Sequence, residues 1–241
     1  MSHPRTVVAR ISIFLIALFL APSALPSSFN VQPVRIEILP NKRSAALKIS
    51  NESGEPLTVQ AAVMKWSLKD AKQAYAQVDD FVLNPPIFTV APHGAQVIRL
   101  GPRTQQFDTV EKSYRLILSE VPGRLPPGFS GARTVLRISV PIFMRETPLT
   151  IAKVSWEARL EDDGSVTISA DNHGTSHVQF TQLQLTNGDR KTMRTVNQYA
   201  LPQEKLEWNC NEPEVRGATQ IAVAASTDAG DINEVLVVKH R

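Results

Sequence analysis

A single cysteine, Cys210, stands among 241 residues, so no intrachain disulfide can form and packing alone must hold the fold together. The lone thiol reads as a small core residue. Lys and Arg nowhere cluster into a dense run, and a formal net charge of +3 with an isoelectric point near 9.1 is only mildly basic, which excludes nucleic acid as a partner. Phosphate-loop, nucleophile-elbow and cysteine–histidine signatures are absent, so no nucleotide or cofactor is expected and catalysis has no address. Of the five histidines, His3 lies in the N-terminal segment, His93 in a Pro-His-Gly turn and His240 next to the C-terminus. His173 and His177 remain, four apart in DNHGTSHVQF. A metal pair at that spacing needs a helix to put both rings on one side, and Gly174 within a strand–turn–strand pattern argues against one. They read as turn and surface histidines, and no metal is expected. Asp162 and Asp163 precede Gly164 and mark a hairpin turn, not a catalytic carboxylate pair. The sequence reads as a non-enzyme.

Long hydrophobic runs are also missing, save one. The apolar stretch Ile11–Leu20 follows Arg5 and Arg10 and precedes small residues and Pro22, which is the layout of a secretory signal peptide over residues 1–28, with cleavage between Ala24 and Asn30. The run falls short of the roughly twenty residues a bilayer-spanning helix needs. The mature protein is therefore expected outside the cytoplasm.

What the rest of the chain has is strand rhythm. VRIEIL, SAALKIS, LTVQAAVMKWSL, FTVA, AQVIRL and SYRLILSEV alternate or run apolar, and NESGEP, NPP, APHG and PGRLPPGFSGA between them carry the Gly, Pro and Asn that turn a chain. This spacing predicts an antiparallel sandwich of about seven strands in the first hundred or so residues. After RETP the rhythm restarts with KVSWEARLE, GSVTISADN, VQFTQLQLT, KLEWN, ATQIAVAAS and NEVLVVKHR, so a domain at 29–146 is followed by a smaller β domain at 147–241. The last run of the first domain, RTVLRISVPIFMRE (133–146), predicts an unusually long strand. Leu136, Ile138, Val140, Ile142 and Met144 share one face of it. Arg145 follows that apolar run and Glu111 opens EKSYRLILSEVP, both where strands reach the end of a domain.

VQPVRIEILPNKRSAALKISN (31–51), NPPIFTVAPHGAQVIRL (84–100), EKSYRLILSEVP (111–122) and the strand ending in Arg145 resemble, in order and spacing, the periplasmic chaperones of pilus assembly that work with an outer-membrane usher. SYRLILSEVP and VPIF resemble the divergent branch of that family serving spore-coat-like subunits. The resemblance implies an all-β fold of two immunoglobulin-like β-sandwich domains at an angle, with a cleft between them. It implies a periplasmic, non-enzymatic chaperone whose partners are pilin subunits and the usher, with weak self-association when unloaded. Leu136, Ile138 and Val140 would be the residues of a strand donated to a subunit that lacks one, with PGRLPPGFSGA as the loop ordered on capture. Arg35, sixteen residues before Asn51, matches the Arg that holds the subunit's terminal carboxylate. Pro141 stands where the family has a Lys, which leaves Arg99 or Arg137 as the second cation. Glu111, Arg145 and Asp228 match a buried charge network linking the domains. The competing expectation is an exported two-domain β-sandwich with a structural or adhesive role. A sugar site would want exposed aromatics, and Trp66, Trp156 and Trp208 all lie in strand-like runs.

Overall fold

In AALKISN (45–51) Leu47, Ile49 and Asn51 turn inward while Ala46 and Lys48 face water, and this period-two alternation recurs through most of the chain. The computed structural model describes residues 29–69, 71–123, 132, 134–147 and 153–240, and every regular element among them is a strand.

The first ten strands lie in two sheets. One sheet takes β1 (Phe29–Gln32), β3 (Ala45–Asn51), β8 (Ala95–Pro102) and β6 (Phe81–Asn84), in that order. The other takes β2 (Ile36–Ile38), β10 (Arg137–Met144), β9 (Lys112–Glu120), β4 (Leu57–Lys69) and β5 (Lys72–Gln77), with β7 (Ile87–Val90) also on β4. Leu47, Ile49 and Ile98 of the first sheet pack against Val59, Leu116, Leu118 and Ile142 of the second. The peptide bonds before Pro33 and Pro85 are cis. β10 runs antiparallel to β9 along its whole length but meets β2, in parallel, only from Ile142 to Met144. The long strand expected over 133–146 is thus a ladder of eight residues.

The remaining strands form one curled sheet, in the order β14 (Arg190–Ala200), β13 (Val178–Asn187), β16 (Gln220–Thr227), β17 (Gly230–His240), β11 (Val154–Leu160), β12 (Val166–Asn172) and β15 (Lys205–Cys210). β17 joins its two faces, pairing antiparallel with β16 and then, at Val238–His240, parallel with β11. Val166, Ile168, Phe180, Leu183 and Ile221 fill its interior. Cys210 is buried among them, and burial pushes its thiol up to about 11. The chain is therefore an all-β protein of two β-sandwich domains, with no ladder between the strands of 29–144 and those of 154–240. The expected division at residue 147 lies against 148–152, outside the described residues, as do the signal segment and most of PGRLPPGFSGA.

The first sandwich has ten strand segments where about seven were expected, because β1 and β6 carry too few residues to show alternation and β5 has no buried face. β14 was also unforeseen. Its side chains are exposed or half-buried until Ala200, so it lacks the apolar period by which a strand is read.

A buried asparagine pins a turn in each sandwich. Asn172 Nδ2 donates to the Ser176 and Ala200 carbonyls at 2.8 and 3.0 Å, and its Oδ1 accepts from Gly174 N at 2.9 Å. Asn172→Ala leaves these buried groups without partners and is expected to cost about 1–3 kcal/mol. Urea denaturation measures it, and an unchanged midpoint contradicts this role.

Candidate functional site

The face of the six-stranded sheet that turns away from its own core carries an unusual set of side chains. Because residues on β9 alternate, Tyr114, Leu116 and Leu118 go into the core while Ser113, Arg115 and Ile117 point to the other side. Trp66 of β4 and Phe143 of β10 share that side and form a small buried cluster with Leu201 of the second domain, against which Tyr199 packs. The two domains meet here.

Charges line the seam. Glu111, with no side-chain exposure, accepts from Arg145 Nη1 at 2.7 Å, and Arg145 Nη2 donates to Glu37 at 3.1 Å. The other Glu111 oxygen accepts from His177 Nδ1 at 2.7 Å and from the His177 amide at 3.1 Å. On the far side of the imidazole, Arg35 Nη2 lies 2.8 Å from Nε2 and is ion-paired with Asp228. Asp228 Oδ1 accepts from the Gln179 amide at 2.8 Å. The His177 ring stacks on Phe143, with centroids 3.5 Å apart. Burial alone would push Asp228 up, but its bonds from His177, Arg35 and Gln179 N win and hold its carboxyl well below the usual carboxylate range. Burial opposes the charged form of His177, yet Asp228 and Glu111 outweigh it and raise its affinity for a proton. Arg35 follows the same pattern: burial works against its charge and Asp228 more than restores it.

Arg115 differs from every cation in this seam. It has no carboxylate partner among the described residues, though like Arg145 it is buried, at 8 % exposure, with an Nε that finds no hydrogen-bond acceptor. Its guanidinium carbon sits 3.7 Å over the Trp66 ring and 5.4 Å from that of Tyr199, and burial lowers its pKa. Cation–π contact of this kind stabilises a desolvated Arg by about 2 kcal/mol, less than a buried charge needs.

A family model for pili and flagellar-assembly chaperones, covering the PapD N-terminal domain, matches residues 28–149, just over half of the chain. The chain belongs to this chaperone family. No curated protein sequence matches it. Among solved structures, the CsuC–CsuE chaperone–tip adhesion subunit pre-assembly complex of Acinetobacter baumannii aligns over 89% of this chain and 99% of that chain, with 19% identity and a TM-score of 0.64. The Pseudomonas aeruginosa CupB2 chaperone aligns over 86% and 98%, with 20% identity and a TM-score of 0.57. The Salmonella enterica SafA pilin–SafB chaperone complex gives 87%, 96%, 18% and 0.61 in the same terms. At these identities the likeness is one of fold.

In this chaperone, Glu111 and Arg145 touch directly, and Asp228 is joined to them through His177. Arg35 stands in the same seam, but its guanidinium already holds Asp228. Leu136 and Ile138 are half-buried at the rim of the first core, whereas Val140 is 2 % exposed and closed within it. Neither proposed substitute for the missing Lys reaches the seam: Arg99 is exposed on β8 of the other sheet, and Arg137 is exposed at the start of β10. The residue facing Pro141 across the ladder is Arg115. No metal-binding group occurs among the described residues. His173 is exposed, with Ser155 Oγ 3.0 Å away, while His177 is buried, which corrects its reading as a surface histidine. Its position follows from Asn172, which folds the turn ahead of it. Sequence reasoning also missed Tyr199, because β14 was not foreseen. For Arg115 a signal existed: within SYRLILSEV it is the one charge in an otherwise apolar strand centre.

Two outcomes follow. Glu111→Gln leaves Arg145 buried with only the partly exposed Glu37 and is expected to cost about 3–5 kcal/mol, read as a lowered melting temperature; an unchanged one contradicts the seam's role. His177, its pKa raised in the fold, adds stability that is full below its ordinary value of 6.5 and is lost as pH rises through the folded value. Denaturant midpoints should therefore fall from pH 6 to pH 9 in the natural protein, and this fall should vanish in His177→Gln; equal slopes in both contradict it.

Proposed function

We propose that this chaperone works in the periplasm, captures pilin subunits by lending them the open edge of β10, and delivers them to an outer-membrane usher. One observation carries the reading. Among the described residues, β10 is paired from Arg137 to Pro141 on the β9 side only, while β2 covers the other side just from Ile142 onward. Backbone groups on that bare edge, with Leu136 and Ile138 half-buried beside it, offer a ladder and an apolar row to a sheet that lacks a strand. Burying each of the two against a subunit contributes about 1.5–3 kcal/mol before ordering costs. Val140 already contributes to the chaperone's own core, so Leu136 and Ile138 make the contact. Pro141 marks the end of the lent segment, since a residue without an N–H is tolerated where a ladder changes partners. Unloaded, the same edge pairs weakly with a second copy.

The subunit's terminal carboxylate is held in the seam between domains. Arg115 supplies the charge that Pro141 cannot: it lies across from Pro141, is desolvated and lacks an anion. Arg35 supplies the second point. The Glu111–Arg145–His177–Asp228 seam sets the angle between domains and so the position of both cations. Two chaperone–subunit complexes among the similar folds support the class of partner. The adhesive reading loses ground because Trp66 and Trp208 are buried and offer no stacking platform for a sugar.

Ile138→Asp is expected to abolish co-purification of a pilin-like subunit expressed in the same periplasm while leaving the melting temperature within a few degrees. Arg115→Gln is expected to weaken capture about tenfold or more, the scale of a charge-assisted hydrogen bond, with Arg99→Gln unchanged. Normal capture by Ile138→Asp removes the lent-strand mechanism; equal affinities of the two Arg variants move the anchor elsewhere.

A further inference from the structure

His177 Nε2 faces two groups with opposite demands. Its Nδ1 points at a Glu111 oxygen 2.7 Å away, and since a carboxylate only accepts, Nδ1 carries a proton in either charge state. Around Nε2 stand Arg35 Nη2 at 2.8 Å, which can only donate, and Asp228 Oδ2 at 3.5 Å, which can only accept. A neutral ring accepts from Arg35. A protonated ring presents an N–H there, which cannot face a guanidinium N–H at that distance and turns to Asp228. Arg35 then loses its acceptor on the ring and must share, or give up, its carboxylate, keeping only the long contact to Gln179 Oε1 at 3.4 Å.

We infer that His177 is a proton-operated selector for Arg35: the neutral imidazole holds the guanidinium in the seam, and the imidazolium takes over Asp228 and frees Arg35 for a partner's carboxylate. The His177–Glu111 link between domains is present in either state, so the domains stay joined while Arg35 changes duty. The groups around the ring fit this exchange. Glu111, ahead of β9, is backed by Arg145 after β10 and by Glu37 on β2. Asp228 comes from the β16–β17 turn and Arg35 from the segment before β2, while Tyr199 of β14 lies with its ring 5.6 Å away and Phe143 of β10 covers one face. Arg35 keeps 30% side-chain exposure, enough for water to receive it when it leaves. With Asp228 and Glu111 favouring the charged ring, the exchange is displaced upward from the ordinary histidine value.

The use of Arg35 rests on the capture reading, but the exchange can be tested without it. In the full chain labelled with nitrogen-15, NMR follows the His177 ring nitrogens and the Arg35 guanidinium protons from pH 5 to pH 9. Exchange of the Arg35 protons with water, taken relative to exposed Arg99, is expected to speed up about tenfold as His177 gains its proton, the loss of roughly one hydrogen bond. A ratio that stays flat across the His177 titration overturns the selector. A synthetic peptide of alternating Val and Thr is then compared with its C-terminal amide. The selector predicts that the preference for the free acid grows about tenfold from pH 8.5 to pH 5.5, and that His177→Gln abolishes the growth. A constant preference overturns the handover to a partner. If neither peptide binds at any pH, the capture reading fails, while the Arg35 exchange data still decide the role of His177.

Discussion

Everything at the junction of the two domains turns on one carboxylate with no access to water. Glu111 accepts from Arg145 of its own domain and from the ring and amide of His177 in the other. A buried ion is tolerable only when its lone pairs are matched, so this group fixes both domains relative to itself. The consequences spread outward. Arg145 needs Glu37, which ties in β2; His177 needs the turn that Asn172 folds; and the ring, once placed, sets Phe143 on one face and Arg35 and Asp228 at its edge. An apolar seam of equal size would hold the domains at least as firmly; what the charged one adds, in the proposed function, is one angle between them. The angle matters to the proposed capture because Arg35 and Arg115 both lie against the same aromatic cluster, and that reading uses both.

The second constraint is the proline in β10. Among the described residues, a strand bordered by β9 along its length and by β2 only at its end leaves five residues with one bare edge, ordinarily an aggregation hazard. Pro141 stands where the bare edge gives way to the paired one. Arg115 of the neighbouring strand lies opposite it, stacked on Trp66, and under the proposed capture it supplies the charge that a proline cannot.

How much of this the sequence revealed follows from what each residue does locally. Alternation and turn residues were enough for two all-β domains, because burial on one face leaves a period of two that needs no tertiary knowledge. β14 and β5 lack that period, since neither face of either is deeply buried, and so they were invisible along with Tyr199. The Glu111–Arg145 pair was legible only through family spacing, for nothing local distinguishes it from surface charge. His177 was misread because its significance lies in partners 66 and 51 residues away, a distance no short motif spans. Val140 was counted with Leu136 and Ile138 on the correct face; how deep along that face the core closes is decided by β2, a strand of three residues.

The most direct measurement is amide hydrogen exchange along β10, made on the free protein and on the same protein mixed with a purified pilin-like subunit. Capture through the bare edge predicts that outward-pointing amides between Arg137 and Ser139 exchange freely alone and become strongly protected in the complex, while those of Ile142–Met144, already laddered to β2, hardly change. A complex that forms with Arg137–Ser139 still exchanging as in the free protein would place the subunit elsewhere and contradict the lent strand.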